Sequence, residues 1–470
     1  MKTVHERRAR EPVDLIVRNA YLITMDSERR IFTNGAVAVD SSRVVGVGTS
    51  AEILQAYRPE RTIDAGGAVV HPGYVDNHIH LMYHLLRWGV GDGAGWDDSL
   101  PLHGGLMAAI DEDVIRTATT LASLEMARNG TTCFLEAGGV PNTVVAAEAI
   151  ERVGIRGLLG GSFVRDISPG GASTHPTDRD KAFDNLGAEL WRNSNPDALV
   201  RGVVSMSGMG SCSVELQLAG KKLADENGVI LNQHQSYQML DASGDDERFG
   251  KHPLVQFAEI GLLDSNCMFS HVNIIRDDEI EPIVESGLSI SWCPMASMLF
   301  GVGGTFHGKH LELYKQGVNI ALGCDSANWT SAFDLNEQGF IALLTAREKT
   351  GDPGALIAED IFEMATINGA KASGRANELG SLEVGKRADL VIRSQDMPEA
   401  LPMLDPLRYV VYSSRSKSVD TVIVNGNVIV ENGHSTQVDE EEFAAHTQEF
   451  TNDLFKRMDQ KPAVGRWPRI

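Results

Sequence analysis

Three things are scarce in this 470-residue chain: cysteine, long apolar runs, and positive charge to balance the negative. Cysteine occurs five times, at Cys133, Cys212, Cys267, Cys293 and Cys324. An odd, scattered set within apolar runs reads as buried thiols of a reducing compartment and excludes a disulfide framework. No uninterrupted apolar run is long enough to span a bilayer, and the charged start, residues 1–12, lacks the apolar stretch of a signal peptide. These features predict a cytoplasmic protein with no membrane partner. Lys and Arg number 42 against 64 Asp and Glu, a net charge of −22, so a polyanion would be repelled and nucleic acid is excluded as the main partner.

With 42% hydrophobic residues and no glycine period, the chain has ordinary globular composition. Residues 1–70 read as short strands punctuated by Gly and Asp. From 71 to 375, short apolar runs at 73–80, 131–135, 157–163, 200–206, 229–234, 267–271, 289–293 and 319–324 alternate with helical stretches such as 113–128 and 213–226. Eight strands with intervening helices predict an α/β protein, a (β/α)₈ barrel, although a doubly wound sheet gives a similar alternation. β character returns over 376–438, where Asn425-Gly426 predicts a tight hairpin. Residues 439–470 form a tail, helical in pattern over 439–459. Strands at both chain ends predict one small sheet domain built from both termini.

The polar residues that close the apolar runs carry the chemistry. His78 and His80, spaced i and i+2 on a strand, point to one side. His234, His271 and Asp325 close three other runs. All five would then lie at the strand-end rim where barrel enzymes place catalysis. Such an N/O donor set suits Zn²⁺, Fe²⁺, Mn²⁺ or Co²⁺.

Several segments together resemble the amidohydrolase superfamily: HPGYVDNHIH at 71–80, NGTT at 129–132, Ser270-His271, GCDS at 323–326, ATINGA at 365–370 and GSLEVGKRADL at 380–390. The resemblance implies a distorted barrel with a composite β-sandwich from both termini. It also implies a metal-dependent hydrolase in which His78, His80, His234 and Asp325 hold one divalent ion. Zinc is the first choice, with iron, cobalt or manganese as alternatives. His271 would hydrogen-bond the attacking water or the substrate, and Asp325 would also be the general base. Two-metal members carry a lysine on strand four; the segment VRGVVSMSGMG at 200–210 has none, which points to one metal. Members of this kind are often homo-oligomers, and the tail helix agrees with that expectation.

Deaminases of the single-metal branch carry a glutamate three residues after the strand-five histidine. This chain has Tyr237 there and Gln238 next. A phenol or amide does not shuttle protons near pH 7 as a carboxylate does; Glu136, after strand two, is a carboxylate that could stand in. The substrate cleft is expected to draw on Trp88, Met209, Tyr237, Gln238, Trp292, Met298 and Trp329, with Trp96, Met206, Met295 and Phe300 nearby. Basic residues near it are few, Arg87 and Arg165. A neutral, apolar small molecule is therefore expected. The nearest resemblance is to the molinate and phenylurea hydrolases, which implies cleavage of a C–N or C–S bond at the carbonyl of an N-aryl urea or thiocarbamate. The alternatives are an aminohydrolase or chlorohydrolase acting on a purine, pyrimidine or triazine ring, and an inactive metal-binding relative.

Overall fold

A computed structural model describes residues 10–168, 177–208, 210–330 and 332–463, except for the side chain of Trp329. Met209 and the Trp329 side chain, both expected in the cleft, lie outside the described residues. The chain forms an α/β barrel with a sheet built from both termini.

Eight barrel positions run in parallel in two sheets. One holds Tyr74–Ile79, Thr131–Glu136, Arg156–Leu159 and Val200–Gly202; the other holds Val204–Gly208, Leu231–Gln235, Cys267–His271, Ser289–Trp292 and Asn319–Leu322. Strand four is thus two pieces, interrupted at Val203, which is the main distortion of the barrel. The third strand ends at Leu159 rather than running to residue 163, because the Gly160-Gly161 pair breaks the ladder. Strands one and eight close the ring. His80 N–H donates to the Asp325 carbonyl at 3.3 Å and Asp325 N–H donates to the His78 carbonyl at 2.7 Å.

The terminal sheet joins Glu11–Ile23, Ile31–Asp40, Arg43–Thr49, Tyr57–Asp64 and Val69–Pro72 to Leu390–Arg393, Val419–Val424, Asn427–Glu431 and His434–Ser435. The expected hairpin is present: Asn425 and Gly426 both have positive φ, as a two-residue turn between twisted strands requires. A buried ion pair ties sheet to barrel. The Arg156 guanidinium donates to both oxygens of Asp389, at 2.7 and 3.0 Å, and also to Asn425 Oδ1 at 2.7 Å. Truncating one partner strands the other charge, so Asp389→Ala is expected to lower unfolding free energy by about 3–5 kcal/mol in a denaturant titration. A loss under 1 kcal/mol would contradict this placement.

The tail helix Glu440–Arg457 is capped by Asp439, with acids in its first turn and Lys456 and Arg457 in its last. Leu454 and Phe455 are buried against their own chain. Among the described residues no helix is long and apolar enough to cross a membrane.

Candidate metal centre

Strand ends converge on one point. His78 and His80 leave strand one, His234 strand five, His271 strand six, and Asp325 follows strand eight. The backbone is bent to deliver two of them: His271 has φ 71° and Asp325 has φ 66°. Left-handed backbone costs a non-glycine residue of order 1–3 kcal/mol and clusters at functional sites. Close packing fixes the rest. A Cβ on Gly208 would lie 2.0 Å from the His234 carbonyl oxygen, and one on Gly323 would lie 2.7 Å from His78 Cβ. Neither position has room for a side chain.

Candidate ligand atoms of His78, His80 and His234 lie within 4.8 Å of one another, as do those of His78, His271 and Asp325. The His80 and His234 Nε2 atoms are 3.1 Å apart. Asp325 Oδ1 is 3.6 Å from His80 Nε2 and 3.8 Å from His78 Nε2. Such spacings are the edges of a coordination polyhedron with bonds of about 2.0–2.2 Å. The donor set fits a divalent ion on a second count: both His78 ring nitrogens are buried with no hydrogen-bond partner among the described residues.

The imidazoles are held in the form a metal needs. Burial, followed by the neighbouring imidazoles, keeps His78 well below its ordinary pKa, and burial lowers His234 to about 4. His234 Nδ1 faces the Ser207 carbonyl at 3.0 Å and donates to it, leaving the Nε2 lone pair turned to the centre. His271 is lowered by burial and by His234 and His310, whose Nε2–H donates to the His271 carbonyl at 2.7 Å. Burial pushes the Asp325 carboxyl up to about 7. Asp76, missed as a site residue, braces the ligands: its Oδ1 accepts the N–H groups of His78 at 3.2 Å and Cys324 at 3.1 Å. Glu136 is fully buried and raised to about 7, and its carboxyl accepts from the Gly138 and Gly139 N–H groups. A Cβ on Gly139 would lie 3.3 Å from Glu136 Oε1 and 3.5 Å from His80 Nδ1, so Glu136 flanks the centre.

The rings at the centre, His78, His80 and His271 among them, are linked in a closed collar of contacts. Successive centroids are 5.8 Å apart from His80 to Tyr83, 4.4 Å to His103, 6.1 Å to Trp96, 6.0 Å to Tyr237, 4.7 Å to His271, 4.8 Å to His78 and 5.0 Å back to His80. Six of the seven fall in the range of attractive aromatic pairs, and the Tyr83–His103 stack sits at its short edge. Tyr237 and Trp96 were expected here. Tyr83 and His103 were not, and no local pattern marks them.

Three expected cleft residues lie elsewhere. Trp88 is 71% exposed, turned out by a φ of 57° and set over the Arg87 guanidinium, which is itself held by Glu125. Trp292 stacks flat on His310 at 4.7 Å and lines a separate cavity of about 410 Å³ with Thr345 and Lys349. Met298 is 44% exposed and its Sδ accepts from Thr345 Oγ1 at 3.7 Å. Gln238 starts the helix Met239–Phe249, its N–H capped by Asp241 Oδ2 at 3.1 Å.

A sequence profile of the amidohydrolase family matches residues 69–429. A 5-methylthioadenosine/S-adenosylhomocysteine deaminase of Syntrophobacter fumaroxidans is 30% identical over 425 residues, covering 89% of this chain and 93% of the relative. A 5'-deoxyadenosine deaminase of Methanosarcina acetivorans is 29% identical over 454 residues, covering 94% and 99%. Among solved structures, a zinc-bound adenosine deaminase from Xanthomonas campestris superposes with a TM-score of 0.87 at 25% identity, covering 95% of this chain and 100% of that one. The fold also matches a zinc-complexed atrazine chlorohydrolase from Arthrobacter aurescens, with a TM-score of 0.83 at 22% identity and coverage of 93% and 100%.

Proposed function

The chain belongs to the amidohydrolase family, and from that membership and its converging ligands we propose a single-metal aminohydrolase that removes the amino group of adenosine-type nucleosides. The observation that carries this reading is full-length similarity to two kinds of adenosine-nucleoside deaminase. It corrects the expectation of N-aryl urea or thiocarbamate cleavage, which rested on the missing glutamate after His234. That single absence was weighed above the pattern of the whole chain.

In this reading His78, His80, His234 and Asp325 would hold the ion, and zinc is favoured because the histidine-rich set suits it and a zinc-bound neighbour shares the fold. A divalent ion there supplies positive charge and an acidified water. Asp325, ionised beside a divalent cation, would take the proton of the attacking water, and its burial makes it the stronger base. His271, neutral, steadies the oxygen that forms at the reacting carbon. The collar holds a flat heteroaromatic base against these groups and excludes water. Tyr237 occupies the place of the absent glutamate; burial raises its phenol well above the ordinary range, so it keeps its proton and donates a hydrogen bond to a ring nitrogen. Glu136, raised to about 7 by burial, is a second carboxyl able to hold a proton near neutral pH.

The test is a panel assay. Zinc-loaded protein is expected to release ammonia from adenosine, 5'-deoxyadenosine or 5'-methylthioadenosine, and at most slowly from cytosine or aminotriazines. Ammonia from the second group alone would contradict the reading.

A further inference from the structure

The peptide that follows His271 is held against its preference. His271 has φ 71° and Val272, the next residue, has φ 50°. The Val272 N–H reaches back to the Ser270 carbonyl at 3.1 Å and closes a three-residue turn on His271, a rare and strained form for an L-residue. Positive φ at the β-branched Val272 is a second outlier. Such a conformation persists only where its surroundings enforce it.

The peptide unit is gripped at both ends. At its nitrogen, the same Val272 N–H also donates to the Gln235 carbonyl of strand five at 2.9 Å. At its oxygen, the His271 carbonyl accepts the His310 Nε2–H at 2.7 Å. The first grip is backbone, and any sequence could supply it. The second needs a donor at one point, which His310 provides from the start of the helix His310–Lys315. The imidazole is 3% exposed and lies flat against Trp292, with ring planes 4° apart. A Cβ on Gly308 would lie 2.9 Å from its Nδ1 and Cε1, so packing fixes the ring. Burial keeps the ring neutral, and a carbonyl only accepts, so its single N–H stands on Nε2. A phenyl ring would fill the same space; what the imidazole adds is the N–H.

We propose that His310 is a positioning residue for the reaction: its grip on the His271 carbonyl keeps the His271 ring aimed at the reacting carbon. The catalytic consequence rests on the aminohydrolase reading above, whereas the effect on the His271 ring does not.

Three variants separate the donor from the packing. His310→Phe keeps a ring against Trp292 and loses the donor. His310→Gln keeps a side-chain N–H. His310→Ala opens a space onto the cavity of about 410 Å³ that His310 lines. With zinc-loaded protein and adenosine, the phenylalanine variant is expected to lose about 10–100-fold in kcat with KM within about twofold, the signature of a group misplaced in the transition state. Glutamine should recover most of that loss. Added imidazole, entering from the cavity, should raise kcat of the alanine variant about tenfold relative to the phenylalanine variant at the same imidazole concentration. That comparison cancels any inhibition at the metal. The proposal is overturned if phenylalanine leaves kcat within about threefold of the parent, or if neither glutamine nor imidazole restores it.

Metal-free protein labelled with ¹⁵N-histidine gives a readout that needs no activity. The His271 ring resonances should move in the phenylalanine variant and keep their parent values in the glutamine one. Identical His271 resonances in the parent and the phenylalanine variant would also overturn the proposal. Should the parent release no ammonia from any adenosine-type nucleoside, the aminohydrolase reading fails, and these resonances alone decide whether His310 positions His271.

Discussion

Replacing Asp325 with Asn is expected to lower kcat for nucleoside deamination by about 10²–10⁴-fold, the range for loss of a positioned general base. The substitution keeps size and shape, and the closing hydrogen bonds of the barrel come from the Asp325 backbone, which it does not touch. What it removes is a carboxyl oxygen 3.6 Å from His80 Nε2 and 3.8 Å from His78 Nε2, buried enough to be raised to about 7. An amide accepts a hydrogen bond but does not take up the proton. The measurement is kcat with zinc content assayed on the same sample, so that loss of base and loss of metal are separated. A kcat within tenfold of the parent at full occupancy would remove Asp325 from the proton path.

His78→Ala has the larger expected effect on the metal itself. His78 is fully buried, both its ring nitrogens lack hydrogen-bond partners among the described residues, and it belongs to both groups of converging ligand atoms. Loss of an outer partner of a metal ligand typically costs 10–100-fold in affinity. Loss of a ligand shared by both groups should therefore exceed about 100-fold, read by competition against a chromophoric chelator. The parent is expected to bind about one equivalent of zinc per chain and to lose deaminase activity on chelation, recovering it when zinc is returned. Unchanged affinity in the variant would place the ion elsewhere.

How far the sequence discloses these features depends on the range of the interactions. His78 and His80 are legible because a two-residue spacing on a strand fixes their common side, and His234, His271 and Asp325 because each closes an apolar run. The left-handed turns that aim His271 and Asp325 carry no such mark, since both are non-glycine residues. Past the strand ends periodicity stops informing direction. Trp88, Trp292 and Met298 were expected in the cleft for their places at or just past strand ends, and local partners decide otherwise: Arg87 beneath Trp88, His310 against Trp292, Thr345 at Met298. The collar depends on contacts no window of sequence contains; His103 accepts a hydrogen bond from Asn328, 225 residues away. The Arg156–Asp389 clamp between barrel and terminal sheet is hidden for the same reason, although both ends of the chain read plainly as β. The substrate was misjudged because a single missing carboxylate is a local signal, whereas the identity of the base is set by the assembled site.

The most direct test of the central claim is the product made from one purine nucleoside. Zinc-loaded protein incubated with 5'-deoxyadenosine should yield ammonia and the 6-oxo nucleoside in equal amounts, and chelated protein neither. Intact 5'-deoxyadenosine after prolonged incubation with fully loaded protein, and likewise with adenosine and 5'-methylthioadenosine, would contradict the account.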